Sequence, residues 1–167
     1  NDNMELKRVV VTGLGAVTPL GLNVEETWEA VKAGKSGAGP ITHFDASKFK
    51  TQFACEVKNF NVNDFIDRKK ARQMDIYCQY ALVAAQQAVK DSGLDAEGIN
   101  KDEVGVVMGV GIGGMRTFEE EAGNWALTGA ELGPKINPFF SPKMIGDIAA
   151  GHISIEYGFH GPNYVTT

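Results

Sequence analysis

Two cysteines and three histidines are the side chains here best suited to nucleophilic or metal chemistry. A thiolate nucleophile needs a base or a positive field beside it. A zinc site needs cysteines and histidines at short, fixed spacings. Cys55 and Cys78 belong to no C-x-x-C pattern, and both are expected to be buried, reduced thiols. His43, His152 and His160 are scattered, so no metal site is expected. His152, within Ala149-Ala150-Gly151-His152-Ile153, falls on a mostly apolar helix and reads as a hydrogen-bonded structural histidine. Ser141 and Thr12 have no neighbouring base, and Glu119 to Glu121 reads as a solvated helix face. No self-contained catalytic set is visible in the chain.

The stretch RVVVTGLGAVTPLG, Arg8 to Gly21, raises a different chemistry. A β-branched run entering a glycine-rich turn is how phosphate-binding loops begin. A dinucleotide loop needs G-x-G-x-x-G, however, and here Gly13 and Gly15 are followed by Thr18 and Pro19 at the critical place. The next helix starts late, near Asn23, and no Gly-Lys-Ser/Thr closes a P-loop. The residues therefore favour a tight structural turn over nucleotide binding, and no cofactor is expected.

The basic run Arg68-Lys69-Lys70-Ala71-Arg72 stands out in a chain of net charge -5. Cations at a helix N-terminus oppose its dipole. That cost is easier to understand if the patch meets an anionic partner, although a solvated helix face remains an alternative. The overall charge does not suggest a nucleic-acid partner. No apolar run approaches the roughly 20 residues needed to span a bilayer, and the polar opening over residues 1–8 has no signal-peptide core. No membrane partner is expected, and a reducing, cytoplasmic setting fits the two unpatterned cysteines.

The elements that must position these groups follow from periodicity. Val9-Val10-Val11 reads as a strand buried on both faces. Asn23 with Glu26 forms a capping-box-like pair before a helix that stops at Gly34. A short strand is expected around Phe53 to Val57. Met74 to Ser92 is a long helix whose alanines suggest close packing, ended by Gly93. Val104 to Met108 is a second buried strand leading into Gly109-Val110-Gly111-Ile112-Gly113-Gly114. Thr117 is expected to cap a helix through Leu127. Pro142 suits the first turn of a helix from Lys143 to Tyr157, stopped by Gly158. Tyr164 to Thr167 begins a third strand. This order predicts an α/β fold with a largely parallel sheet. A domain does not normally end within its central strand, so the chain is expected to be part of a longer polypeptide.

Taken in order, these motifs resemble the β-ketoacyl-acyl carrier protein synthases, elongating condensing enzymes of thiolase-like fold, and most of all the bacterial type II enzymes. The carrying residues are VVVTGLGAVTPLG, Trp28, Arg68-Lys69 with Met74-Asp75, GVGIGG, Asn137-Pro138-Phe139-Phe140, Ala149-Ala150-Gly151-His152 and Gly161-Pro162-Asn163. The resemblance implies a layered α/β/α/β/α fold, with residues 1–167 supplying its N-terminal half. It implies a decarboxylating Claisen condensation of an acyl thioester with malonyl carrier protein in fatty acid elongation. The cysteine nucleophile is then expected just after Thr167, with the catalytic histidines further on, so residues 1–167 alone should be inactive. Ile112 matches the family's acyl-pocket gate, and Phe140 a residue reaching across a homodimer interface toward the acyl tunnel. Lys69 and Arg72, flanked by Arg68 and Lys70, match positions that dock the acidic acyl carrier protein. Gln73 stands where the family often has a third cation, and the Met115 to Gly133 region departs in length and composition. The alternatives are a non-catalytic partner subunit resembling a chain-length factor and, further off, a nucleotide-binding α/β domain.

Overall fold

A computed structural model describes residues 7–129, 131, 133 and 136–167. The polar opening over residues 1–6 lies outside the described residues. Helix α1 (Val24–Lys32) begins where the capping pair places it: Asn23 Oδ1 accepts from Glu26 N at 2.8 Å. Glu26 returns the bond one residue earlier than a standard capping box, accepting from Leu22 N. The chain then crosses a two-residue antiparallel pair, β1 (Gly39–Pro40) with β2 (Phe53–Ala54). A four-residue helix, α2 (Arg68–Ala71), leads into the long α3 (Ile76–Ser92), capped by Asp75 and ended by Gly93 in the left-handed conformation. Strand β3 (Val106–Gly109) feeds α4 (Met115–Asn124) and a π-helical turn over Trp125–Gly129. Two helices follow, α5 (Phe140–Met144) and α6 (Ile148–Tyr157), and then β4 (Asn163–Thr166). Strands β3 and β4 pair in parallel, with Val106 opposite Asn163.

The core lies where α3 packs against α6 and α6 against the β3–β4 pair. Met74, Cys78, Leu82 and Val83 meet Ala149 and Ile153 there, each almost wholly removed from water. This is an α/β layering with helices over one face of a parallel pair. The parallel connection between β3 and β4 runs through α4, α5 and α6, as a crossover must.

Four expectations change. Val9 to Val11 forms no strand and is exposed, Val9 at 90%. No strand pairs with it among the described residues, and β-branched propensity cannot hold a strand that has no hydrogen-bonded neighbour. β3 is half-buried rather than buried on both faces: Val106 and Met108 pack on the core while Val107 faces out. The helix expected over Lys143 to Tyr157 is two helices, parted at Ile145, whose extended backbone interrupts them. Thr117 does not cap α4, because the helix starts at Met115 after Gly114.

The glycine-rich turn is explained by α3. A Cβ on Gly13 would lie 2.5 Å from both Ala88 O and Ser92 N, and one on Gly15 would collide with the Ala84 carbonyl. The loop backbone thus rests directly on the alanine face of α3. Two of its amides are already engaged, Leu14 N donating to Asp91 Oδ2 at 2.9 Å and Ala16 N to Gln87 Oε1 at 3.1 Å. An anion would have to displace those bonds, so the loop is a scaffold turn.

Candidate functional site

The basic run forms α2, capped by Asp67, whose Oδ1 accepts from Lys69 N at 2.9 Å and Lys70 N at 3.3 Å. The conflict with the helix dipole is therefore smaller than the sequence implies, since the helix is four residues long and carries an acidic cap. Arg68, Lys69 and Arg72 line an open groove of about 850 Å³. Lys70 is turned away and pairs with Glu156 of α6. Asn137, Phe139 and Lys143 line the same groove. Lys143 was not singled out from sequence, being a lone cation far from the basic run. Its one signal was a position just after Asn137-Pro138-Phe139-Phe140.

The loop from Gly109 to Gly114 presents Ile112 at 73% exposure. Both its ends are held. Val110 is buried and donates its N–H to Thr166 O, and Gly114 donates to Met144 O, each at 2.9 Å. Gly113, at φ 90°, and Gly114 lie against the backbone of Lys143 to Gly146, where any side chain would collide. Phe140 opens α5, half-buried, with its ring 6.3 Å from that of Phe118 on α4. Helix α5 is thus the common support. It carries Phe140, seats the Ile112 loop through Met144 and closes the groove through Lys143. The basic run, the Ile112 loop and α5 lie far apart in the sequence, and the fold brings them together.

The titratable groups follow the sequence expectation at Cys78 and depart from it at Cys55 and His152. Cys78 is fully buried, and burial pushes its thiol up to about 11, so it is inert at neutral pH. Cys55 is exposed rather than buried, because it follows the short edge strand β2. Among the described residues His152 Nε2 is buried with no hydrogen-bond partner, against the expectation of a bonded histidine. Burial, aided by nearby Lys70, lowers its pKa and favours the neutral ring. Glu121 is not merely solvated: its carboxylate accepts from Asn137 N at 3.1 Å and tethers the segment before Phe140. Among the described residues no group of three or more His, Cys, Asp or Glu could hold a metal ion, and no helix is long and apolar enough to cross a membrane.

Comparisons with known proteins agree with this architecture. The profile of the β-ketoacyl synthase N-terminal domain matches residues 6–167. The chain is 44% identical to 3-oxoacyl-(acyl-carrier-protein) synthase 2 of Synechocystis sp., over 98% of this chain and 39% of that protein. It is 47% identical to the enzyme of the same name from Coxiella burnetii, over 96% of this chain and 38% of that one. Among solved structures, the ishigamide ketosynthase/chain length factor superposes with a TM-score of 0.83 at 28% identity, covering 95% of this chain and 39% of that one. The chain thus spans about two-fifths of the length of the curated relatives it matches. With the domain profile matched from residue 6 to residue 167 and the fold shared with a ketosynthase, the chain belongs to the β-ketoacyl synthase family, as its N-terminal domain.

Proposed function

We propose that the full-length protein is a type II β-ketoacyl-acyl carrier protein synthase acting in fatty acid elongation. In that reaction a cysteine thiolate outside residues 1–167 takes an acyl group from its carrier thioester. Malonyl carrier protein then loses carbon dioxide, and the resulting carbanion attacks the enzyme-bound thioester. The products are a 3-oxoacyl carrier protein, carbon dioxide, the free carrier protein thiol released by the acyl transfer, and the regenerated cysteine thiol. The chain described here contributes binding rather than bond-making. Ile112 gates the acyl pocket, Phe140 lines it at a homodimer interface, and the groove of Arg68, Lys69, Arg72 and Lys143 docks the acidic carrier protein. Lys70, paired with Glu156, is drawn off from that groove and its charge is offset there.

The observation that carries this reading is the cationic groove walled by the same helix, α5, that seats the Ile112 loop. A docking surface for an acyl donor and an acyl gate belong side by side, because the acyl chain must pass from one to the other. Lys143 supplies a cation where the basic run itself offers the neutral Gln73. Exposed Met115, Phe118 and Trp125 share one face of α4 and its extension, apolar surface that a second subunit would cover. A soluble carrier substrate suits a cytoplasmic enzyme.

The test is direct. Purified full-length protein, given acyl- and malonyl-loaded carrier protein, should release carbon dioxide and form the 3-oxoacyl product. Charge reversal at Lys69 and Arg72 should weaken carrier-protein binding by about tenfold at low salt, and less at high salt. No condensation would overturn the enzyme reading, and unchanged affinity at low salt would overturn the docking surface. A second reading, a non-catalytic partner resembling a chain-length factor, draws on the likeness to the ishigamide ketosynthase/chain length factor. It requires that no cysteine follow within a few residues of Thr167 in the full sequence.

A further inference from the structure

Among the described residues two polar side chains are buried, Asp75 at 6% and Thr117 at 7% exposure, and they are bonded to each other. Asp75 Oδ2 accepts from Thr117 Oγ1 at 2.6 Å and from Thr117 N at 3.1 Å. Its other oxygen accepts from Tyr77 N at 3.2 Å. The carboxylate therefore sits between the first turns of α3 and α4, where the N-terminal amides of two helices meet its charge. A buried carboxylate would be costly without such partners. Two bonds to one residue also fix α4 both along its axis and in rotation.

What α4 carries at its head is the Ile112 loop. Gly114 immediately precedes the helix, and Phe118 N returns a bond to Gly114 O at 3.0 Å. The loop is pinned at Val110 by β4 and at Gly114 by Met144, with no room at Gly113 or Gly114 for slack. Ile112 lies between the pins. The backing of the second pin is the Asp75–Thr117 contact. Asp75 itself lies three residues beyond Arg72, so one short segment anchors both the groove and the loop.

We propose that Asp75 is a positioning residue for the acyl gate: by holding Thr117 at the head of α4, it sets where Ile112 stands. This rests on the reading of the Ile112 loop as the gate of a condensing enzyme. A shifted loop obstructs the pocket mouth, and a long primer, which must fill the pocket, suffers more than a short one.

The experiment uses the full-length protein with acyl-carrier primers of short and long chain, comparing wild type, Thr117→Val, Thr117→Ser and Asp75→Asn. Thr117→Val keeps the side-chain shape and removes the hydroxyl donor. The ratio of kcat/KM for long over short primers is expected to fall by about tenfold, equivalent to about 1.4 kcal/mol. Carrier-protein affinity should stay unchanged, and Thr117→Ser should restore the ratio. An unchanged ratio in Thr117→Val, or an equal loss at every chain length, overturns the proposal. If Thr117→Val fails to fold, the same two outcomes are read from Asp75→Asn, which preserves shape and removes the charge. An Ile112→Phe variant separates the failures. If wild type does not condense, or Ile112→Phe leaves chain-length preference intact, the gate reading fails and this inference with it. If Ile112→Phe alters preference while Thr117→Val and Asp75→Asn do not, the positioning role of Asp75 alone is refuted.

Discussion

Replacing Gly13 by alanine separates a scaffold turn from a ligand loop. Gly13 does not need a left-handed backbone, so alanine meets no conformational penalty there. What it meets is space. Its Cβ would lie 2.5 Å from Ala88 O and Ser92 N, where ordinary contact begins near 3.4 Å. The loop must therefore lift from α3 by about 0.9 Å, the difference between those distances. A shift of that size takes Leu14 N, now 2.9 Å from Asp91 Oδ2, out of hydrogen-bonding range. Overpacking of this kind costs about 1–3 kcal/mol, and the lost bond about 1 kcal/mol at an exposed site. Reduced freedom of the unfolded chain returns about 0.4–1 kcal/mol. A net loss of about 1–3.6 kcal/mol is expected, read as a lowered urea midpoint at unchanged m-value in the full-length protein. Gly39→Ala, where nothing lies within 4 Å of the added carbon, is the control, and it should stay within about 0.5 kcal/mol of wild type. Ala88→Gly should not rescue Gly13→Ala, because the obstruction is the Ala88 carbonyl rather than its side chain. If Gly13→Ala matched the control, the packing account would be wrong. Calorimetric binding of NAD or ATP that Gly13→Ala abolished would restore the phosphate-loop reading.

Ile112→Phe should lower kcat/KM for long acyl primers by about tenfold more than for short ones, the scale of about 1.4 kcal/mol at a pocket mouth; equal effects across chain lengths would argue against a gate. His152 has a lowered pKa, from burial first and Lys70 second. The unfolded chain then binds the extra proton more readily, so its contribution to stability is complete above the ordinary histidine value of about 6.5 and is lost as pH falls below it. Urea titrations from pH 7 to pH 5 should show a shallower loss in His152→Gln than in wild type, and identical slopes would remove His152 as the cause.

Much of the chain was legible because its signals are local. Asn23 with Glu26, Gly93 and Gly158 mark helix ends through bonds and backbone angles that a few neighbouring residues decide. The alanine spacing of α3 forecast a close neighbour, and Gly13 with Gly15 proved to be that neighbour. The family resemblance, carried by ordered motifs, agreed with the domain profile along nearly the whole chain. The misreadings share a cause. Val9 to Val11 looks like a strand to any propensity scale, but a strand exists only through a partner, which local composition cannot supply. Thr117 looks like a cap, but Asp75, 42 positions away, claims its hydroxyl.

The sequence by itself determined the start of α1, the ends of α3 and α6, the parallel α/β character, the basic run and the family, since each depends on short-range pattern or on motif order. Tertiary structure alone decided which cations face one groove, with Lys143 brought in and Lys70 drawn off to Glu156. It also decided that the glycine loop bonds two of its amides to α3 side chains and that a buried carboxylate backs the Ile112 loop. Those facts are distances between residues far apart in the chain. They are fixed by how helices and strands pack, and no local pattern encodes them.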